Sequence, residues 1–267
     1  LRLLDFSAPE IIAEDLVNGF LLLEDFGDAT FTNLLKDGAD EEPLYALAID
    51  VLIALHALKA STVAPDWLPP YDDERLRSEA ALLLDWFMPA HGLEVTPKAR
   101  SAFERIWLDL FAHVHQGPRT LVLRDYHVDN LMHLAGRLGI EACGLLDFQD
   151  ALAGHPAYDL MSLLQDARRD IAPSLQARML DRYFYALNIH GPARTEYERA
   201  YAILAAQRHA KVIGIFTRLD RRDGKRVYLK HIGRVWRLLE QALTHPALSD
   251  MAAWTNTHIP AAKRQAP

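Results

Sequence analysis

Asp125, Asn130 and Asp147 are the residues of this chain whose types and spacing could do chemistry together. They stand in Leu121-Val-Leu-Arg-Asp125-Tyr-His-Val-Asp-Asn130-Leu-Met and in Gly144-Leu-Leu-Asp147-Phe-Gln-Asp150. An Asp followed five residues later by an Asn is by itself a weak signal. Its surroundings strengthen it. The stretch Thr120–Arg124 before Asp125 is apolar and strand-like, Asn130 enters a second such run over Leu131–His133, and a third over Glu141–Asp147 ends in the second Asp. Strand ends placed side by side would aim three oxygen-bearing side chains at one point. Phosphoryl transfer from ATP needs that set, because positioning and charge neutralisation supply most of the catalysis. One carboxylate takes the proton of an attacking hydroxyl, which suits Asp125. Hard oxygens hold Mg²⁺ against the phosphates: Asn130 can do so without adding negative charge, and Asp147 supplies the anionic ligand.

Other candidates are less specific. Asp159, in Ala-Tyr-Asp-Leu, either ties down the catalytic loop from below or caps the helix it opens. Gln149 and Asp150 follow Asp147 closely enough to reach acceptor hydroxyls. His127 is expected to pack structurally, and Asp129 to pair with Arg124. His113, His115 and His133 lack the spacing of a zinc site, and there is neither a readable Ser-His-Asp arrangement nor a Gly-x-Ser-x-Gly string.

The elements that must hold these groups are mostly helical. Two short strands, Glu10–Glu14 and Phe20–Asp25, flank an Asn18-Gly19 turn, and two strands make no stable sheet alone. Apolar periodicity predicts helices over Pro43–Lys59, Asp73–His91, Thr96–His115, Ser174–Asn188, Thr195–Leu219 and Tyr228–Leu243. The segment after Ala252 has little periodicity and reads as a tail.

Composition narrows the class. A chain of 267 residues, 50% of them hydrophobic, can bury one sizeable core or two modest ones. A net charge of −7 and a pI near 5.9 argue against a nucleic-acid partner. The densest basic group, Arg218, Arg221, Arg222, Lys225 and Arg226, is interrupted by Asp220 and Asp223 and reads as a solvated helix end and turn. A single cysteine, Cys143, excludes an internal disulfide framework, fits a reducing cytoplasm and sits in an apolar run as a buried thiol. No apolar run reaches the roughly 18 residues of a membrane span, and no signal-peptide order is visible. The expected setting is cytoplasmic, without membrane or nucleic acid, as a monomer or weak homodimer meeting a small-molecule acceptor with a free hydroxyl.

Arg124-Asp125-Tyr-His-Val-Asp-Asn130 and Leu146-Asp147-Phe148 resemble the catalytic and metal-binding motifs of the aminoglycoside phosphotransferase family, relatives of protein kinases. The fuller strings Asp147-Phe-Gln-Asp-Ala, Tyr158-Asp-Leu-Met-Ser-Leu-Leu-Gln-Asp and Arg222-Asp-Gly-Lys-Arg-Val-Tyr-Leu-Lys-His are similar to the branch that phosphorylates the anomeric hydroxyl of N-acetylmuramate and N-acetylglucosamine. The resemblance runs from about Ser7 to Ala242. It implies an α+β, mostly α, protein-kinase-like fold, with ATP and Mg²⁺ as donor and cofactor and Arg124 and Asp159 as loop organisers. On that reading residues 1–27 are the end of an N-terminal β lobe, 28–252 the helical catalytic and substrate lobe, and 253–267 a tail. Glu24, Asp25 and Phe26 would form a hinge whose backbone bonds the adenine. Glu79, Asp85 and Trp86 lie on the helical insert where the family builds its acceptor pocket.

Two departures stand out. Leu123 occupies the position where the family usually has a His. No Gly-rich loop and strand Lys precede the hinge, the first lysine being Lys36. The chain also begins with Leu1, so a truncated N-terminus is expected, and with it weak ATP binding and little activity of the 267 residues alone. The competing readings are an aminoglycoside 3′-type phosphotransferase, which needs a strongly acidic pocket, and a non-catalytic kinase-like binding module, against which the intact metal-binding set speaks.

Overall fold

The computed structural model describes residues 1–267. Strands β1 (Ile11–Asp15) and β2 (Phe20–Leu23) form an antiparallel hairpin around Gly19, whose φ of 75° suits a residue without Cβ. Both strands are exposed along their whole length, Ile11, Ile12, Phe20 and Leu22 included. The short helix α1 (Phe31–Lys36) follows, capped by Thr30, whose hydroxyl accepts the Asn33 N–H at 3.1 Å. Helix α2 (Glu41–Ala57) buries Leu44, Ile49, Leu52 and Leu55, and a single turn α3 (Ala60–Val63) leads away from it.

Asp72 caps α4 (Asp73–Ala80) by accepting the Arg75 N–H at 3.0 Å. The sequence periodicity predicts one helix to His91, and the chain does stay helical, but through a wide π-helical turn at Leu83–Phe87 before α5 (Met88–Ala90). Helix α6 (Pro97–His115) starts as expected, with Thr96 as cap and proline in its first turn.

Four short strands then flank the residues expected to do chemistry: β3 (Thr120–Val122), β4 (Leu131–His133), β5 (Cys143–Leu145) and β6 (Leu152–Gly154). They do not form one sheet. β4 pairs antiparallel with β5, Leu131 opposite Leu145, while β3 pairs with β6, Val122 opposite Leu152. The expectation that three neighbouring strand ends converge is therefore corrected. β4 and β5 do abut, and β3 reaches them only through the loop 123–130.

The remainder is helical: α7 (Ala157–Leu164), α8 (Pro173–Ala186), α9 (Gly191–Asp223), α10 (Ile232–Ala242) and α11 (Ser249–His258). α9 starts earlier than its periodicity suggests, because Pro192 is tolerated in a first turn. It ends at Gly224, which has φ 68°. Its 33 residues span about 50 Å. Its middle, Ile203–Thr217, is almost wholly buried under α4, the π turn, α6, α7 and α10. Gly214 marks the closest of these contacts, since a Cβ there would fall 2.3 Å from the Leu82 carbonyl carbon.

One contiguous core takes in Phe31, Trp107, Tyr158, Trp236 and Trp254. The last of these lies beyond the expected tail boundary at 252. α11 runs straight across it, with the Trp254 indole N–H on the Ala99 carbonyl at 2.9 Å and its ring 4.8 Å from that of Phe103. The helical mass packs through to Ile259.

Candidate active site

The loop between β3 and β4 is held from behind by one carboxylate. Asp159, 1% exposed at the start of α7, accepts the backbone N–H of Leu123 at 2.6 Å and of Arg124 at 2.9 Å, one on each oxygen. That clamp lets Arg124 adopt φ 71°, a left-handed conformation a non-glycine residue rarely takes. Burial pushes the Asp159 carboxyl up to about 7, against the two N–H groups and Arg208, which favour its ionised form. Leu123, in place of the usual His, is buried in the core, so this position holds the loop through its N–H and its apolar side chain. Tyr126 adds a second anchor, donating its hydroxyl to the Ala48 carbonyl of α2 at 2.8 Å.

The loop so pinned brings the three predicted residues together. Pairing of β4 with β5 sets Asn130 beside Leu146, whose N–H reaches the Asn130 carbonyl at 3.0 Å. The Asn130 side-chain amide donates to the Asp125 carbonyl at 2.9 Å and to Asp147 Oδ2 at 3.2 Å. Asp147 has φ 58°, in the left-handed region that Asp tolerates better than most residues. Its Oδ1 takes the Gln149 amide at 2.8 Å.

Asp125, Asn130 and Asp147 open onto a cleft of about 280 Å³ walled by Ala167, Val212, Ile215 and Phe216. The cleft also holds His127, Asp129, Arg168, Arg208 and Lys211. Arg208 Nη2 lies 3.8 Å from Asp125 Oδ1. Burial alone would raise the Asp125 carboxyl, but Arg208 and Lys211, followed by His127 and Arg124, hold it below the usual carboxylate range. Burial pushes the His127 imidazole down from its ordinary value, against Asp166 and Asp129. Its Nδ1 has no hydrogen-bond partner.

Arg208 and Lys211 were not foreseen. They belong to a buried ionic network beneath the loop. Lys211 Nζ pairs with Glu79 of α4 at 2.9 Å, and Glu79 also takes hydrogen bonds from Arg124 and the Tyr71 hydroxyl. Arg208 donates to the Arg124 carbonyl at 3.2 Å and to the Tyr158 hydroxyl at 3.3 Å. Glu79, read as an acceptor contact, thus fixes the loop and α9 to α4. Arg124 pairs with Glu79 rather than with Asp129 as expected. Asp129 instead accepts the Thr32 hydroxyl and lies 3.6 Å from Arg168.

The other candidates lie outside the cleft lining. Asp85 faces α6, pairing with Arg100 at 2.5 Å, and Trp86 is half-buried in the same π turn. Asp150 is exposed and gives its backbone carbonyl to Arg124 at 3.2 Å. Glu24 pairs with Arg137 at 2.7 Å and Arg2 at 3.3 Å, and Asp25 accepts the Gly27 N–H at 2.7 Å. Phe26 lies over β5, where a Cβ on Gly144 would come within 2.8 Å of its ring. The segment 24–26 therefore borders the ladder that carries Asn130 and Asp147.

For a metal, no group of three or more His, Cys, Asp or Glu side chains is arranged to hold one. The cleft offers a pair: the Asp147 carboxylate and the Asn130 amide oxygen, which makes no hydrogen bond while its nitrogen makes two. Two hard oxygens fit an ion that takes few protein ligands and fills its shell with water and phosphate oxygens.

Comparison with known proteins settles the class. A model described as the phosphotransferase enzyme family matches residues 1–203. The chain belongs to that family. It is a nucleotide-using small-molecule phosphotransferase. It is 37% identical over 264 residues to an N-acetylmuramate/N-acetylglucosamine kinase of Caulobacter vibrioides, covering 97% of this chain and 72% of that one. A kinase of the same description from Pseudomonas aeruginosa is 38% identical, covering 91% and 71%. Among solved structures, a choline/ethanolamine kinase family protein from Mesorhizobium loti superposes with a TM-score of 0.61 at 15% identity, covering 96% of this chain and 80% of that one. Choline kinase LicA from Streptococcus pneumoniae gives 0.56 at 12%, covering 93% and 76%. These two bear on the fold alone, and it is the expected kinase-like one. No helix is long and apolar enough to cross a membrane.

Proposed function

We propose that this phosphotransferase moves the γ-phosphate of ATP to a hydroxyl of a cell-wall amino sugar, N-acetylmuramate or N-acetylglucosamine. The observation that carries the reading is the likeness, along nearly the whole chain, to kinases of that description, joined to the meeting of Asp125, Asn130 and Asp147 in one cleft. Asp125 accepts the proton of the sugar hydroxyl. It is ready to do so at neutral pH because Arg208 and Lys211 keep it ionised. Asn130 and Asp147 would hold Mg²⁺, which when bound neutralises charge on the transferring phosphate. The same two cations offset negative charge developing beside Asp125. The backbone of Glu24–Phe26 would hydrogen-bond the adenine, and Gln149 and Asp150 would meet the acceptor from the rim.

The cleft sets three cations, Arg168, Arg208 and Lys211, against three carboxylates, Asp125, Asp129 and Asp147, and so lacks the strong acidic excess that a polycationic drug needs. The test is an acceptor panel with full-length protein and ATP, followed by NMR location of the phosphate. Phosphate on the anomeric hydroxyl of either amino sugar is the expected product. Consumption of ATP with neither sugar sinks the assignment.

A further inference from the structure

Three cations face the cleft, and two of them are already engaged. Lys211 pairs with Glu79, and Arg208 is tied to the Arg124 carbonyl and the Tyr158 hydroxyl. Arg168 differs. Its guanidinium lies over the Phe216 ring at 5.9 Å, makes no hydrogen bond, and keeps only a loose approach to Asp129 at 3.6 Å. Asp129 gives its other oxygen, Oδ1, to the Thr32 hydroxyl. A guanidinium placed over an aromatic face leaves its fork of N–H donors free to grip a planar anion. The side chain is one-third exposed, so that edge is open to a ligand.

The neighbourhood specifies what the anion is attached to. Arg168 contacts neither Asn130 nor Asp147, the pair suited to a phosphate-bound metal. The contacts of its guanidinium are Asp129 and Phe216. The apolar part of the cleft lining is Ala167, Val212, Ile215 and Phe216, and Arg168 lies against its Phe216. An anion joined to a small apolar group fits there, and a lactyl ether is such a group, a methyl beside a carboxylate. N-acetylmuramate carries that ether, whereas N-acetylglucosamine has a plain hydroxyl in its place.

We propose that Arg168 is a specificity-determining residue that binds the carboxylate of an acidic acceptor, with Val212 and Ile215 packing on the methyl beside it. The inference rests on the amino-sugar reading above. It makes one cleft serve both sugars, with the arginine engaged by only one of them.

The test compares the full-length wild type with Arg168→Gln and Arg168→Lys on both sugars, alongside calorimetric titration of each sugar into nucleotide-free protein. The expected result for Arg168→Gln is a fall in the kcat/KM ratio of N-acetylmuramate over N-acetylglucosamine on the order of 10- to 100-fold, the worth of charge-assisted hydrogen bonds. A matching selective loss should appear in N-acetylmuramate binding. Arg168→Lys keeps the charge without the fork and recovers part of the ratio. Equal losses on both sugars with a raised KM for ATP would place Arg168 on the phosphates and overturn the proposal. An unchanged ratio in both assays overturns it as well. Wild type inactive on both sugars overturns the amino-sugar reading and this inference with it, a result visible before any variant is compared.

Discussion

Glu79 of α4 and Lys211 of α9 form an ion pair of 2.9 Å beneath the loop 123–130, with Arg124 as a third member. The Glu79 side chain is only 15% exposed, and burial by itself would favour its neutral form. Lys211, Tyr71 and Arg124 together nevertheless hold its carboxyl below the ordinary range. Removing that one anion strands two cations in a poorly solvated space. Glu79→Gln is expected to destabilise the fold by about 3 kcal/mol, measured by urea unfolding. Adding Lys211→Met should return part of that loss, because the double variant buries one fewer unpaired charge. Additive losses would show that the two side chains do not interact.

Asp159 sets an expectation for pH. Its ordinary pKa of 3.8 rises to about 7 in the fold, chiefly by burial. A carboxyl raised in this way penalises the folded state once it ionises. The penalty is absent below about pH 4, grows as pH rises, and is complete above about pH 7. The catalytic loop depends on the opposite state, because only the carboxylate accepts both the Leu123 and Arg124 N–H groups. Activity should therefore fall on acidification with an apparent pKa near 7 even where stability does not. Asp159→Asn, which can accept only one of the two, should be slow at every pH and lose the stability change between pH 4 and 7. A wild-type acid limb set below the ordinary carboxylate range, where Asp125 itself protonates, is the contrary outcome.

The chemistry was legible where it is local. Asp125 and Asn130 are five residues apart in one loop, and Asp147 is brought to them by a ladder of neighbouring strands. The partners that tune them come from about 80 residues further on, and no spacing rule links Arg208 or Lys211 to Asp125. A signal was present all the same: Gln207, Arg208, His209 and Lys211 interrupt an otherwise apolar run from Ile203 to Phe216, and all four are buried. Charges inside a buried helix need partners. The β3–β6 pairing was hidden for another reason. Leu152–Gly154 is three residues long, and its strand character comes wholly from a partner 30 residues away. Trp254 likewise joins the core through contacts with α6 that the tail's own pattern does not announce.

Gly214 gives a packing test. α9 crosses the turn after α4 so closely that a Cβ at this position would sit 2.3 Å from the Leu82 carbonyl carbon and 2.5 Å from its oxygen. Backbone on the far side cannot swing away as a side-chain tip can. Gly214→Ala gains about 1 kcal/mol of helix propensity, but the forced displacement should exceed it and leave a net loss of roughly 1–2 kcal/mol. Gly214→Leu should lose more. A stabilised alanine variant would mean that the two segments do not approach as closely as described.

The separate roles given to Asp125 and to the pair Asn130 and Asp147 can be told apart by binding and turnover. In the proposed mechanism Asp125 would offer its side chain to the reacting hydroxyl, and it gives Asn130 only its backbone carbonyl. Asp125→Ala keeps that carbonyl, so Mg-ATP binding should stay within about threefold while kcat falls by 10² or more, the contribution typical of a positioned base (about 10²–10⁴-fold). Asp147→Asn leaves the cleft with no anionic metal ligand from this pair, and Asn130→Ala removes the neutral oxygen. Both should raise the Mg²⁺ concentration needed for half-maximal rate, Asp147→Asn more, because a charged oxygen holds Mg²⁺ better than an amide does. Excess Mg²⁺ should then rescue Asn130→Ala in part and Asp125→Ala not at all. Rescue of Asp125→Ala by metal would move Asp125 from proton acceptor to ligand, and loss of nucleotide binding in that variant would make it structural.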